Sequence, residues 1–267
     1  MTDKNNKTSE PTIRDVDGDG TTDFGFKRIN AEEKVAAVKS IFSGVASQYD
    51  LMNDVMSFGV HRLWKRQFVR EIGYGPDMTM LDVAGGTGDI SFGVFDSVKG
   101  HMLPGAITVC DINPEMLAEG KKRAVNRGIL KPLQWVVGNA ECLPFPNNSF
   151  DRYTIAFGLR NVTDKVAAIR DAYRVLKPGG KFLCLEFSHV DTPIVRKLYE
   201  TYSFNIIPKM GKMVAANEDA YQYLVESIKQ FPDQETLKAQ MAEVGFEEVY
   251  YKNLSFGVAA IHVGVKG

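Results

Sequence analysis

Five short apolar runs, at residues 78–83, 106–110, 133–137, 152–156 and 181–187, are each separated from the next by a stretch with helical spacing. That alternation limits the fold more than any other feature of the chain. Strands divided by helices cannot close as hairpins, so they pair in parallel through crossover connections and build a doubly wound α/β sheet. Turn residues before three of the runs agree: Pro104-Gly105, Pro144-Phe145-Pro146-Asn147-Asn148 and Pro178-Gly179-Gly180. Two further alternating runs, 247–254 and 258–265, flank Phe256-Gly257 and read as an antiparallel terminal hairpin.

The remaining organisation follows from this core. Residues 1–23 are polar, with Asp3, Glu10, Asp15, Asp17, Asp19 and Asp23 outweighing Lys4, Lys7 and Arg14, and are expected to be a disordered tail. That composition is neither the Arg-rich, acid-poor pattern of a transit peptide nor a secretory signal. Helical spacing over 24–72 predicts a helical lid, 73–188 the parallel core, 189–232 a helical cap and 233–267 a helix followed by the hairpin. With 267 residues and a net charge of -1, the chain has room for one large domain and lacks the basic patch that nucleic-acid binding needs. Cys110, Cys142 and Cys184 lie too far apart for a zinc or disulfide pattern, and the histidines have no metal-ligand spacing. No apolar run is long enough to span a bilayer.

The segment Leu81-Asp82-Val83-Ala84-Gly85-Gly86-Thr87-Gly88-Asp89-Ile90 falls where the first core strand turns into its helix. Glycines there let the backbone pass close to a ligand at a helix N-terminus. A dinucleotide-binding turn needs a further glycine three residues after Gly88, and Ser91 stands there instead. Asp82 suits a ligand with an ammonium group, such as the methionine end of S-adenosylmethionine. Asp111, directly after the second core strand, suits the two hydroxyls of a ribose, with helix capping as its structural alternative. After the third strand, Asn139 and Ala140 lie where an adenine edge would come. The candidate cofactor site read from these residues is Asp82, Gly86, Gly88, Asp111, Asn139 and Ala140. The expected fold is the class I, Rossmann-like fold of S-adenosylmethionine-dependent methyltransferases.

Several segments carry a closer likeness: Ala84-Gly85-Gly86-Thr87-Gly88-Asp89, Asp111-Ile112-Asn113, Phe157-Gly158-Leu159-Arg160-Asn161-Val162-Thr163, Leu176-Lys177-Pro178-Gly179-Gly180, Leu185-Glu186-Phe187-Ser188, and 45–54 around Tyr49 and Asp50. Together with His61-Arg62-Leu63-Trp64-Lys65 they resemble the ubiquinone/menaquinone-biosynthesis C-methyltransferase family. The resemblance implies methylation of a ring carbon on a polyprenylated benzoquinol or naphthoquinol, and cofactor contacts at Thr87, Asp111, Asn139 and Ala140. Ala156 stands where some bacterial members have serine, as in the eukaryotic branch. That branch implies a peripheral position on the matrix side of the mitochondrial inner membrane, with a bacterial cytoplasm as the alternative. It also implies a homodimer within a multi-subunit quinone-biosynthesis complex.

A ring carbon becomes nucleophilic when the adjacent hydroxyl ionises, and a phenol titrates near ~10, so the site must favour the anion. Arg160 is expected to supply positive charge, a water between Arg160 and Asn161 to accept the proton, and Tyr49, Asp50 and Asn53 to orient the hydroxyl; His61 ranks lower as a base. The alternatives for Arg160 and Asn161 are an ion pair with Asp164 and a helix cap. Met52, Val55, Met56 and Phe58, with Phe204, Ile206, Ile207, Met210 and Met213, are candidates to line a slot for a prenyl tail. Arg62, Trp64, Lys65, Arg66, Phe68 and Arg70 form a candidate stripe for anionic lipid. Competing readings are a methyltransferase for another small acceptor, such as a sterol or an amine, and a silent nucleoside-binding scaffold.

Overall fold

The computed structural model describes residues 19–43, 59–75, 77–98, 103, 105–129, 131–190 and 218–267. Tyr49, Asp50, Asn53 and the proposed prenyl-slot residues of 52–58 and 204–213 lie outside the described residues.

Seven strands form one sheet: β3 (Met80–Val83), β4 (Ile107–Asp111), β5 (Leu133–Val137), β6 (Phe150–Ala156), β7 (Leu176–Phe187), β8 (Phe246–Leu254) and β9 (Ala259–Lys266). Their order is β5-β4-β3-β6-β7-β9-β8. The first five pair in parallel, while β9 runs antiparallel to both β7 and β8. The chain therefore winds outward from β3 to β5 and then returns to the other side of β3. Crossovers that leave in opposite directions open a crevice at the carboxyl ends of β3 and β6, where ligands of open α/β sheets bind.

Side chains alternate across a strand, so a sheet covered on both faces makes two cores. On β7, Leu183, Leu185 and Phe187 enter one core with Trp64, Phe68 and Ile72 of α2 (His61–Ile72). Phe182 and Cys184 enter the other with Ala168, Ile169 and Ala172 of α5 (Lys165–Val175) and Leu237 and Met241 of α7 (Gln234–Val244). Between these helices in the chain are α3 (Asp89–Ser97), α4 (Pro114–Asn126) and α6 (Glu218–Gln230). Asn113 caps α4, its side chain accepting from the Glu115 N–H with Pro114 at the first turn. Asp164 and Asp233 cap α5 and α7 in the same way. Arg152, on β6, donates through its guanidinium to the carbonyls of Ile72 and Gly73 and neutralises the C-terminal end of α2.

The N-terminal region differs from the reading of a tail to residue 23 followed by helices. Thr21–Phe24 is β1 and pairs with β2 (Lys27–Asn30) around Gly25, whose φ of 58° needs no side chain, before α1 (Ala31–Ser43) begins. The hairpin docks where Thr22 is buried and its hydroxyl donates to the carbonyl of Thr163. Two four-residue strands rich in Thr, Asp and Lys carry too little alternation to be seen in sequence. Among the described residues, no helix is long and apolar enough to cross a membrane.

Candidate active site

The turn after β3 is shaped by its glycines. Ala84 and Gly86 have φ of 49° and 53°. A Cβ on Gly85 would stand 2.7 Å from Val109 and 2.9 Å from the carbonyl of Asp82, so only glycine fits. Gly88, the other glycine of the candidate site, has φ 88° and stands at the N-cap of α3, where a Cβ would meet Trp135 at 2.9 Å. The described cleft wall runs through Ala84, Gly85, Gly86 and Thr87 and omits Gly88.

Two carboxylates stand at the strand ends. Asp82 is fully buried, and its oxygens accept from the hydroxyls of Ser91 at 2.7 Å and Thr154 at 2.9 Å. Burial pushes its carboxyl up to about 6, and the neighbouring Asp89 adds repulsion. Ser91, the residue that breaks the dinucleotide pattern, therefore serves to hold Asp82. Asp111 accepts from the backbone N–H of Gly86 at 2.9 Å and of Asn113 at 2.8 Å, and burial raises its carboxyl as well. Asn113 rather than Asp111 caps the following helix. A carboxylate has about four acceptor sites, so Asp111 keeps acceptor capacity for a diol in the cleft it lines.

Thr87 is nearly buried and its hydroxyl accepts from Arg123 at 2.5 Å. Arg123 also pairs with Asp89, which pairs in turn with Lys65 at 2.8 Å. Asn139 and Ala140 both line the cleft, where the Asn139 side chain accepts from the N–H of Glu141. The sequence reading missed Ile112 and Met116, two apolar walls beside Asp111, and Val35 and Val38 of α1, which close the cleft from above. Ile112 is 37% exposed although apolar, and its place directly after the acid was the available signal.

On the opposite wall, β6 is followed by Phe157, which has a φ of 55°, and Gly158, where a Cβ would stand 2.5 Å from that of Ala84. A 3-10 turn over Leu159–Asn161 follows, and Asn161 reaches the cleft. Arg160 is corrected: its side chain has no exposure and turns inward, away from the described cleft wall. It donates to Glu186 of β7 at 2.9 Å and to the carbonyl of Phe157 at 2.7 Å, and Glu186 accepts from the Arg160 N–H too. Asp164, the partner weighed from sequence, is occupied as a helix cap. Tyr223 of α6 donates to the Asn161 side-chain oxygen at 3.1 Å. His61 is buried and absent from the described cleft wall. Trp64 and Phe68 also point inward and Lys65 is half-buried, so of the candidate stripe Arg62, Arg66 and Arg70 are exposed, with Leu63 and Gln67 beside them.

The cleft sets a buried acid held by hydroxyls, a second carboxylate at the end of β4 and a glycine turn side by side, a set that fits S-adenosylmethionine. With the doubly wound sheet, this defines an S-adenosylmethionine-dependent methyltransferase. A model of the "ubiE/COQ5 methyltransferase family" matches residues 28–266, and the chain belongs to that family.

Among its relatives, "2-methoxy-6-polyprenyl-1,4-benzoquinol methylase, mitochondrial" of Dictyostelium discoideum is 47% identical, over 97% of this chain and 92% of that protein. The protein of the same name from Arabidopsis thaliana is 51% identical, over 92% and 90%. "Ubiquinone/menaquinone biosynthesis C-methyltransferase UbiE" of Rickettsia bellii is 52% identical, over 92% and 98%. Solved structures share the fold at lower identity. A chain of the complex between the Haloferax volcanii Trm112 methyltransferase activator and a methyltransferase aligns with a TM-score of 0.60 at 15% identity, over 84% of this chain and 97% of that one. A possible histamine N-methyltransferase of Thermotoga maritima aligns with 0.58 at 20%, over 85% and 99%.

Proposed function

We propose that this enzyme methylates a ring carbon of a polyprenylated benzoquinol, converting 2-methoxy-6-polyprenyl-1,4-benzoquinol to its 5-methyl derivative in ubiquinone biosynthesis. The observation that carries the reading is the pairing of the two-carboxylate cleft with relatives of that name at 47% and 51% identity across nearly the full chain. S-adenosylmethionine, when bound, supplies an electrophilic sulfonium methyl.

The chain's own residues do the rest. Asp111 grips the ribose and Asp82 the ammonium, while Asn139 and Ala140 meet the adenine edge. Asn161 holds the acceptor oxygen from the cleft wall and helps to place the water that takes its proton, since an ordinary phenol near ~10 must ionise to activate its ortho carbon. Arg160 contributes by anchoring the turn that carries Asn161. Tyr49 and Asp50 orient the quinol hydroxyl. Holding carbon and methyl in line supplies much of the remaining acceleration.

A lipid-soluble acceptor fits a peripheral position on the matrix side of the mitochondrial inner membrane, within a homodimer and a quinone-biosynthesis complex. Arg62, Arg66 and Arg70 on the exposed face of α2, with Leu63 at 59% and Phe256 at 74% exposure, support a lipid-facing surface. The bacterial relatives favour a second reading, methylation of demethylmenaquinol. Incubating the protein with methyl-labelled S-adenosylmethionine and short-chain quinols separates the two. Label in the benzoquinol supports the proposal, label in the naphthoquinol alone supports the second reading, and label in neither contradicts both.

A further inference from the structure

The acceptor side of the cleft contains one polar side chain whose orientation is set from a distant element. Asn161 reaches the cleft wall at the end of its 3-10 turn, and its backbone N–H is spent on the carbonyl of Gly158. Its side-chain oxygen accepts from the hydroxyl of Tyr223, 62 residues further along the chain, at 3.1 Å. An amide offers one acceptor oxygen and one donor nitrogen, so fixing the oxygen on one side presents the two N–H groups to the other. Asn161 itself lines the cleft.

Tyr223 is built to keep that arrangement. It is 6% exposed, and its ring lies 4.6 Å from that of Phe24 in the N-terminal hairpin. Burial holds its phenol well above the usual range, so the hydroxyl keeps its proton to give. Phe24 is in turn part of the hairpin whose Phe26 N–H donates to Glu226, one helical turn beyond Tyr223 on α6. The ring is thus packed on Phe24 of β1, with its hydroxyl on Asn161.

We propose that Tyr223 is a positioning residue for methyl transfer: it locks the Asn161 amide with its N–H groups toward the cleft, where they donate to the oxygen of the acceptor ring. The inference rests on the proposed quinol reading for the identity of that oxygen. Without the tyrosine hydroxyl the amide is free to turn, and its oxygen then opposes the developing phenolate.

Tyr223→Phe removes one atom and leaves the ring on Phe24. With S-adenosylmethionine and a short-chain benzoquinol, kcat is expected to fall about tenfold with the KM for S-adenosylmethionine unchanged. Asn161→Ala is expected to lose on the order of a hundredfold in kcat. In that background Tyr223→Phe should then change kcat by less than about twofold, because the two residues act as one unit.

A readout without quinol accompanies these: the nuclear magnetic resonance order parameter of the Asn161 side-chain amide in the S-adenosylhomocysteine complex. It should be high in the wild type and fall below about 0.6 in Tyr223→Phe. Wild-type kcat in Tyr223→Phe, a full tenfold loss in the Asn161→Ala background, or an unchanged order parameter overturns the inference. If the wild type methylates no quinol, the proposed function fails, while the order parameter still decides the role of Tyr223.

Discussion

The two walls of the cleft are made in different ways. The nucleoside wall, from β3 and β4, consists of carboxylates held by backbone N–H groups and hydroxyls, with glycines letting the main chain approach. The acceptor wall, from β6 and β7, is a left-handed residue and a short turn pinned from behind by a buried ion pair. On the proposed function, the first directs its carboxylates to the ligand, whereas the second spends most of its polar groups on its own shape. Substitutions on the nucleoside wall should therefore change cofactor affinity, and those on the acceptor wall should change stability and turnover.

The largest effect is expected at the ion pair. Glu186→Leu leaves the Arg160 guanidinium buried without its carboxylate, which costs about 3–5 kcal/mol of folding stability. Calorimetric unfolding should record a melting temperature lower by about 10 °C. The double variant Glu186→Leu with Arg160→Met should recover most of the loss, while cofactor affinity stays near that of the wild type in both. Weakened affinity in the double variant would erase the contrast between the walls.

On the nucleoside wall, Asp111→Ala removes an acceptor for two charge-assisted ribose contacts, worth about 2–3 kcal/mol, so titration calorimetry should show S-adenosylmethionine binding roughly 30- to 150-fold weaker. Asp82 has a smaller, pH-dependent role. Its carboxyl is raised from 3.8 to about 6 by burial, so ionising it costs the empty protein stability as pH rises through that interval. The ammonium of the ligand favours the ionised form, and affinity should rise by about tenfold between pH 5 and pH 7. Asp82→Asn should be flat over the same range. The smallest effect is expected for Ser91→Gly, which restores the third glycine of a dinucleotide turn and removes one hydrogen bond to Asp82: a few-fold loss of affinity, about 1 kcal/mol, and no gain of nicotinamide cofactor binding.

The same contrast explains what was legible in the sequence. The nucleoside wall is local: Asp82, the glycines and Ser91 lie within ten residues of one another, and Asp111 follows the next strand, so strand alternation and turn residues bring them together without tertiary knowledge. The parallel strands and terminal hairpin were legible for the same reason, as repeating apolar runs with punctuation. The acceptor wall is non-local. Arg160 meets Glu186 from 26 positions away and Asn161 meets Tyr223 from 62, and no spacing rule links them. In sequence Arg160 follows the fourth core strand, where a side chain can face a substrate, and Asp164 is the ion-pair partner that the spacing offers. The sheet instead brings Glu186 of the adjacent strand against it. The packing of Gly88 on Trp135 of β5 is non-local in the same sense.

Both walls depend on the claim that the nucleoside lies at the carboxyl ends of β3 and β4. A crystal structure of the S-adenosylhomocysteine complex tests it directly. The ribose hydroxyls are expected within hydrogen-bond distance of the Asp111 carboxylate, and the amino group beside Asp82. Density for the ligand anywhere else on the protein, or a ribose turned away from Asp111, would contradict the account.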